Sequence, residues 1–70
     1  MKGTMRTREE MEAVARGMES IRLLDELVSA SERCMYAVES SDGMALNHTA
    51  EEWDEVVQVV RAEILRRMGN

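Results

Sequence analysis

The fold is decided by the stretch MEAVARGMESIRLLDELVSASERCMYAV, residues 11–38. Apolar residues recur along it at steps of mostly three and four, which is the spacing of one face of an α-helix. Polar Ser31 falls in the same series, whose apolar members are Met11, Val14, Met18, Ile21, Leu24, Val28, Met35 and Val38. A second stripe widens the apolar arc in the C-terminal half: Leu23, Leu27, Ala30, Cys34 and Ala37. The pattern predicts an amphipathic helix through this stretch.

Short polar motifs mark where this helix begins and ends. Thr7 and Glu10 have the Thr-x-x-Glu spacing of a capping box, in which each side chain bonds the backbone N–H of the other residue. Gly43 can adopt the left-handed conformation that follows helix C-termini. We therefore predict a helix over about 7–40, preceded by a flexible segment at 1–6.

Two positions inside this predicted helix are candidates for a break. Gly17 lowers helix stability by about 1 kcal/mol relative to alanine. Ser29 and Glu32 repeat the spacing of a capping box. The sequence leaves open whether the first helix is continuous or folds back on itself as a third helix.

A second helix follows a short loop, which we predict at 41–48. Thr49 and Glu52 form another Thr-x-x-Glu box, and acidic residues come early and arginines late, as the helix dipole favours. The predicted helix covers about 49–68. Its apolar positions again follow helical spacing: Trp53, Val56, Val57, Val60, Ile64 and Met68.

These elements predict an all-α fold, an antiparallel helical hairpin with a long first helix, within a single domain at 7–70. The second helix is long enough to cover only about residues 22–40 of the first. The 70 residues have a mass of 8.0 kDa, and a chain of this size buries only about 60% of its unfolded surface. One cysteine excludes an internal disulfide, so we predict a homodimer with a four-helix-bundle-like arrangement.

The predicted positions divide into two sets. The dimer or partner interface comprises Met11, Val14, Met18, Ile21, Leu24 and Val28. The core comprises Leu27, Cys34, Val38, Trp53, Val57, Val60 and Ile64.

The formal net charge of −5 is unevenly distributed. Residues 1–8 carry +3, residues 9–60 carry −10 and residues 61–70 carry +2. An acidic middle disfavours nucleic-acid binding, because neutralising phosphates requires clustered Lys and Arg. The alternative function is a nucleic-acid-associated dimer that uses its basic ends, namely Arg6, Arg8, Arg61, Arg66 and Arg67.

Residue types that carry chemistry are scarce. One His and one Cys exclude the common zinc sets within one chain, and the sequence has neither a Gly-rich phosphate loop nor a Ser/His/Asp set. Cys34 lies within an apolar stripe, so we interpret it as a buried structural thiol. We expect no enzyme activity, no cofactor, no metal site and no membrane span. A free thiol without a signal peptide predicts a cytoplasmic protein.

The remaining function class is a protein–protein interaction module, a regulator or inhibitor that binds a partner protein. An acidic hairpin that dimerises into a four-helix bundle resembles in plan the plasmid copy-number RNA-binding hairpin protein. The acidic face of this chain lacks the basic and aromatic groups that RNA contact requires. The size and acidity of this chain also resemble those of phage and mobile-element inhibitors of host proteins.

Overall fold

The computed structural model describes residues 6–69, and most of them are helical. Three helices and a two-stranded ribbon follow one another: α1 (Arg8–Gly17), α2 (Ser20–Glu39), β1 (Met44–Ala45), β2 (His48–Thr49) and α3 (Ala50–Gly69). α2 and α3 pack along each other as an antiparallel hairpin, and α1 folds back onto α3. The described part measures 41 × 20 × 15 Å. None of its helices is both long and apolar enough to cross a membrane.

The first apolar stretch forms two helices, which corrects the prediction of one helix over 7–40. α1 ends at Gly17, the first of the two break points that the sequence offered, and Met18 and Glu19 are extended. A Cβ built at Gly17 would meet nothing within 4 Å, so this glycine is not needed for a close helix contact. Gly17 has a low helix propensity, so little helix stability is lost when α1 ends at this position.

The side chain of Arg67, from the last turn of α3, holds this break. Its guanidinium donates to the carbonyl oxygens of Ala15 at 3.3 Å, Arg16 at 3.3 Å and Met18 at 2.6 Å. These carbonyls belong to the C-terminal end of α1, where the last oxygens of a helix lack partners within it. Arg67 therefore fixes the C-terminus of α1 against the C-terminus of α3.

A buried carboxylate orients Arg67 in turn. Glu63 is only 7% exposed, and its Oε2 accepts from Arg67 Nε at 2.8 Å and from Arg66 Nη2 at 2.6 Å. The hydrogen bonds from Arg66, followed by those from Arg67, hold the pKa of Glu63 at about 2, well below its ordinary value of 4.5. The carboxylate thus stays charged through the physiological range, and the guanidinium groups keep their partner.

The lowered pKa of Glu63 makes the fold sensitive to acid. The unfolded chain binds a proton at this residue near pH 4.5 and the folded chain only near pH 2. This contribution to the free energy of unfolding is therefore complete above about pH 4.5 and is lost as the pH falls towards 2. Urea unfolding at a series of pH values is expected to show this loss in the wild type and a shallower one in Glu63→Gln. Equal slopes in the two proteins would contradict the role given to Glu63.

The interior consists of two neighbouring clusters that share Val56. The first joins α1 to the hairpin: Ala15, Leu23, Val59 and Val60 are buried, and Met11, Met18, Leu27 and Ile64 pack against them. The second lies where α2, the ribbon and α3 meet: Ala30, Ala37, Ala45 and Trp53 are buried, with Cys34, Ala50 and Val57 around them.

The predicted loop at 41–48 contains a small antiparallel ribbon in which Ala45 lies opposite His48. Its two central residues, Leu46 and Asn47, have φ values of 49° and 68°. Positive φ at both positions is the geometry of the tight turns that match the twist of paired strands. The Asp42 carboxylate accepts from the backbone N–H of Met44 at 3.0 Å, so the ribbon is anchored at its start.

Capping boxes stand at the beginning of α1 and of α3. Thr7 Oγ1 accepts from the Glu10 N–H at 3.2 Å, and Glu10 Oε1 accepts from the Thr7 N–H at 3.1 Å. The same exchange joins Thr49 and Glu52, at 3.3 and 3.0 Å. In both places side chains satisfy N–H groups that a helix N-terminus leaves without partners.

Candidate functional site

The outer face of α2 carries an unusual amount of exposed apolar surface. We call it the α2 seam and define it by six residues: Ile21, Leu24, Val28, Ser31, Met35 and Val38. The five apolar members are between 51% and 70% exposed. The alternating steps of three and four are those of the a and d positions of a heptad repeat, in which one helix meets another.

The seam is exposed because α2 uses a different stripe to pack on α3. The inner stripe is the set Leu23, Leu27, Ala30, Cys34 and Ala37, all buried or half-buried. Each of these residues is followed directly by a member of the seam. Because one residue turns the helix by about 100°, the seam lies about that far around α2 from the stripe that contacts α3.

A row of carboxylates follows one edge of the seam. Asp25, Glu32 and Glu39 come directly after Leu24, Ser31 and Val38, and all three acids are exposed. Their spacing of seven places them in one line, at the e positions of the same heptads. The seam is therefore an apolar strip with a negative edge.

The structure separates the residues predicted as the interface into two groups. Ile21, Leu24 and Val28 lie on the seam. Met11 and Met18 instead pack on the first core cluster, because α1 folds back and uses them on α3.

Val14 is less exposed than the seam residues and more exposed than Met11 and Met18. It is 38% exposed and lines a cavity of about 180 Å³ together with Met11 and Met18. The cavity opens between α1 and the hairpin, and Trp53 and Val56 form part of its wall.

Val38, predicted as a core residue, is 70% exposed. The reason is its position one residue after Ala37, which is fully buried and faces the ribbon and Trp53. The other predicted core positions contribute to the two clusters: Leu27, Cys34, Trp53, Val57, Val60 and Ile64. The seam thus gains Val38, and it extends further along α2 than the predicted interface.

The residue types that could carry chemistry have structural partners around Trp53. The indole Nε1 donates to the Ala45 carbonyl at 2.8 Å, the His48 ring meets Trp53 edge-on at 5.4 Å, and the Arg33 guanidinium lies 5.2 Å from the ring centre. Cys34 Sγ donates to the Ala50 carbonyl at 3.4 Å. His48 Nδ1 is buried and makes no hydrogen bond within the described residues, with a carboxylate oxygen of Glu52 at 3.5 Å. These contacts close the end of the hairpin.

The basic ends do not form one positive surface. Arg8 pairs with Glu55 at 2.8 Å, and both Arg66 and Arg67 pair with Glu63. Arg6 and Arg61 are exposed. Because three of these five arginines already bind carboxylates of the chain, they offer little to a phosphate backbone.

Within residues 6–69, no three His, Cys, Asp or Glu side chains come together in an arrangement that could hold a metal ion. The chain matches no protein-family model, no curated protein and no solved structure.

Trp53 provides a test of how the hairpin end is held together. Trp53→Ala is expected to lower the free energy of unfolding by about 3–5 kcal/mol, because it empties the centre of the second cluster. Trp53→Phe keeps most of the volume but leaves the buried Ala45 carbonyl without its donor, at a cost of about 1–3 kcal/mol. Urea unfolding followed by circular dichroism measures both. Native tryptophan emission at the wavelength of free tryptophan in water would contradict the burial of Trp53.

Proposed function

We propose that this protein is a non-enzymatic helical interaction module, a homodimer formed through the α2 seam that regulates or inhibits a partner protein. The observation that carries the proposal is the seam itself. Scattered apolar residues are ordinary on a protein surface, whereas a continuous strip along a whole helix marks a contact surface. Its heptad spacing selects another helix as the contacting element.

The composition of the interior supports the same proposal. Eight hydrophobic residues are buried among those the structure describes, and four of them are alanines: Ala15, Ala30, Ala37 and Ala45. Leu23 is the one large side chain among them that is fully buried. Burial of apolar area is the main stabilising term of a fold, and alanine contributes little of it. On α2, Ile21, Leu24, Val28 and Val38 lie outside, where association would bury them.

In a symmetric dimer the two chains cover each other's seam, and no third chain is needed. In a two-fold contact the same surface serves both chains, so each exposed residue finds an apolar counterpart. With α2 of both chains in the middle and α3 outside, the assembly contains four long helices. This is the four-helix-bundle-like arrangement, and its stability depends on protein concentration.

The charge distribution supports a basic partner. Residues 9–60 carry −10, and the edge formed by Asp25, Glu32 and Glu39 is exposed. Charge complementarity speeds association and disfavours partners of the wrong charge more than it adds affinity. A small acidic dimer can regulate a protein by covering a basic surface that the protein needs for its own contacts. The unpaired thiol of Cys34 suits a reducing compartment, so we place this role in the cytoplasm.

Leu24→Glu tests the seam directly. It places a charge in the middle of the proposed contact, at a position already 51% exposed within one chain, so the chain itself should fold. We expect the wild type to sediment as a dimer at tens of micromolar and the variant as a monomer. We also expect the thermal midpoint of the wild type to rise with protein concentration, as mass action requires.

Tyr36→Glu is the matched control, because Tyr36 is on the same helix and 67% exposed but lies off the seam. It is expected to remain dimeric. A wild-type chain that stays monomeric at 100 µM by sedimentation equilibrium, about the upper end of the range in which specific complexes form, would refute the proposed dimer. Equal loss of association in the two variants would place the contact elsewhere.

A further inference from the structure

The residues of the seam and of its acidic edge also bear on the direction in which two chains meet. Resting on the proposed function, we infer that the occupant of the seam is α2 of a second copy, lying parallel to the first. Ile21, Val28 and Met35 then meet their own copies at a positions. Leu24, Ser31 and Val38 meet theirs at d positions.

The residue types at the N-terminal end of the seam favour this arrangement. Two-stranded parallel coiled coils prefer β-branched residues at a and leucine at d, because each position presents its Cα–Cβ bond to the partner at a different angle. Ile21, Leu24 and Val28 are the a, d and a residues of the first layers. Their identities match that preference at all three positions.

The acidic edge disfavours the opposite direction. In an antiparallel pair the e positions of the two helices face each other. Glu32 would then lie beside the partner's Glu32, and Asp25 beside the partner's Glu39. Like charges directly across a contact are destabilising, and no basic residue on this edge of α2 compensates for them among the described residues.

A parallel pair avoids this repulsion. The e positions of one helix then lie beside the g positions of the other, which are Ser20, Leu27 and Cys34. None of these side chains is charged, and the last two are half-buried against α3. Each acidic edge stays at the rim of the contact, where its charge remains in water and available to a basic partner.

Disulfide trapping distinguishes the two directions in one mixture. Cys34→Ser removes the native thiol while keeping a donor for the Ala50 carbonyl, and Leu24→Cys and Met35→Cys are each introduced into that background. A disulfide forms only when two Cα atoms approach within about 7 Å. In a parallel pair each new cysteine meets its own copy. In an antiparallel pair position 24 meets position 35 of the other chain, since a residues then face d residues.

The two variants, given different tags, are mixed in equal amounts in a glutathione redox buffer and analysed by mass spectrometry. We expect the two homodisulfides and little of the mixed disulfide. A predominance of the mixed disulfide overturns the parallel direction while leaving the seam dimer intact. All three disulfides in the proportions of random pairing also overturn it.

Sedimentation of the two variants under reducing conditions separates this inference from the proposed function. Dimers are expected in both variants, because cysteine, which replaces leucine in one and methionine in the other, is itself a small apolar residue. Monomers in both variants and in the wild type refute the seam dimer and the parallel direction together. Ser31→Cys in the same background is a third probe, expected to form its homodisulfide because position 31 is a d position.

Discussion

The hydrogen bonds between Glu63, Arg67 and the carbonyls of Ala15, Arg16 and Met18 decide the architecture of the described chain. A helix that ends at Gly17 has no preferred direction of its own. Arg67 gives it one, because its guanidinium can satisfy three oxygens only where α1 lies against the end of α3. Glu63 makes this possible by holding Arg67 in place, and the hydrogen bonds from Arg66 and Arg67 keep its carboxylate charged.

This position of α1 determines which apolar surface is buried within the chain and which stays exposed. Met11 and Met18 pack on the first core cluster, so they do not continue the strip formed by Ile21 and Leu24. The strip therefore begins with α2. An uninterrupted first helix would have carried a longer strip, half of it extending beyond the hairpin. Because the helix breaks, the strip itself lies on one element that α3 supports, while Leu46, Leu65 and Met68 are exposed elsewhere on the described chain.

Several features of this fold were predictable because they depend on neighbouring residues. The Thr-x-x-Glu spacing marks the starts of α1 and α3, and the inner stripe of α2 follows from helical periodicity. The sequence offered two positions for the break, near Gly17 and near Ser29. Which of them is used depends on Arg67, which is 50 residues away from Gly17 in sequence. Glu63 gave no signal either: a glutamate with arginines three and four residues later on a helix is usually an exposed, solvated group. Val38 was misplaced because both apolar stripes of α2 obey the same periodicity, and which one is inside depends on where α3 lies.

The two stripes of α2 differ in side-chain size, and this difference is informative. The inner stripe combines two leucines with two alanines and Cys34, while the seam carries isoleucine, leucine, valine and methionine. A monomer under selection for stability alone would place its larger side chains inside, since the gain from burial scales with apolar area. In this chain the seam instead leaves large apolar side chains exposed, which the proposed contact with another helix would bury. In the proposed dimer, burial of the seam would therefore add to the stability that each chain has alone, by an amount that grows with protein concentration.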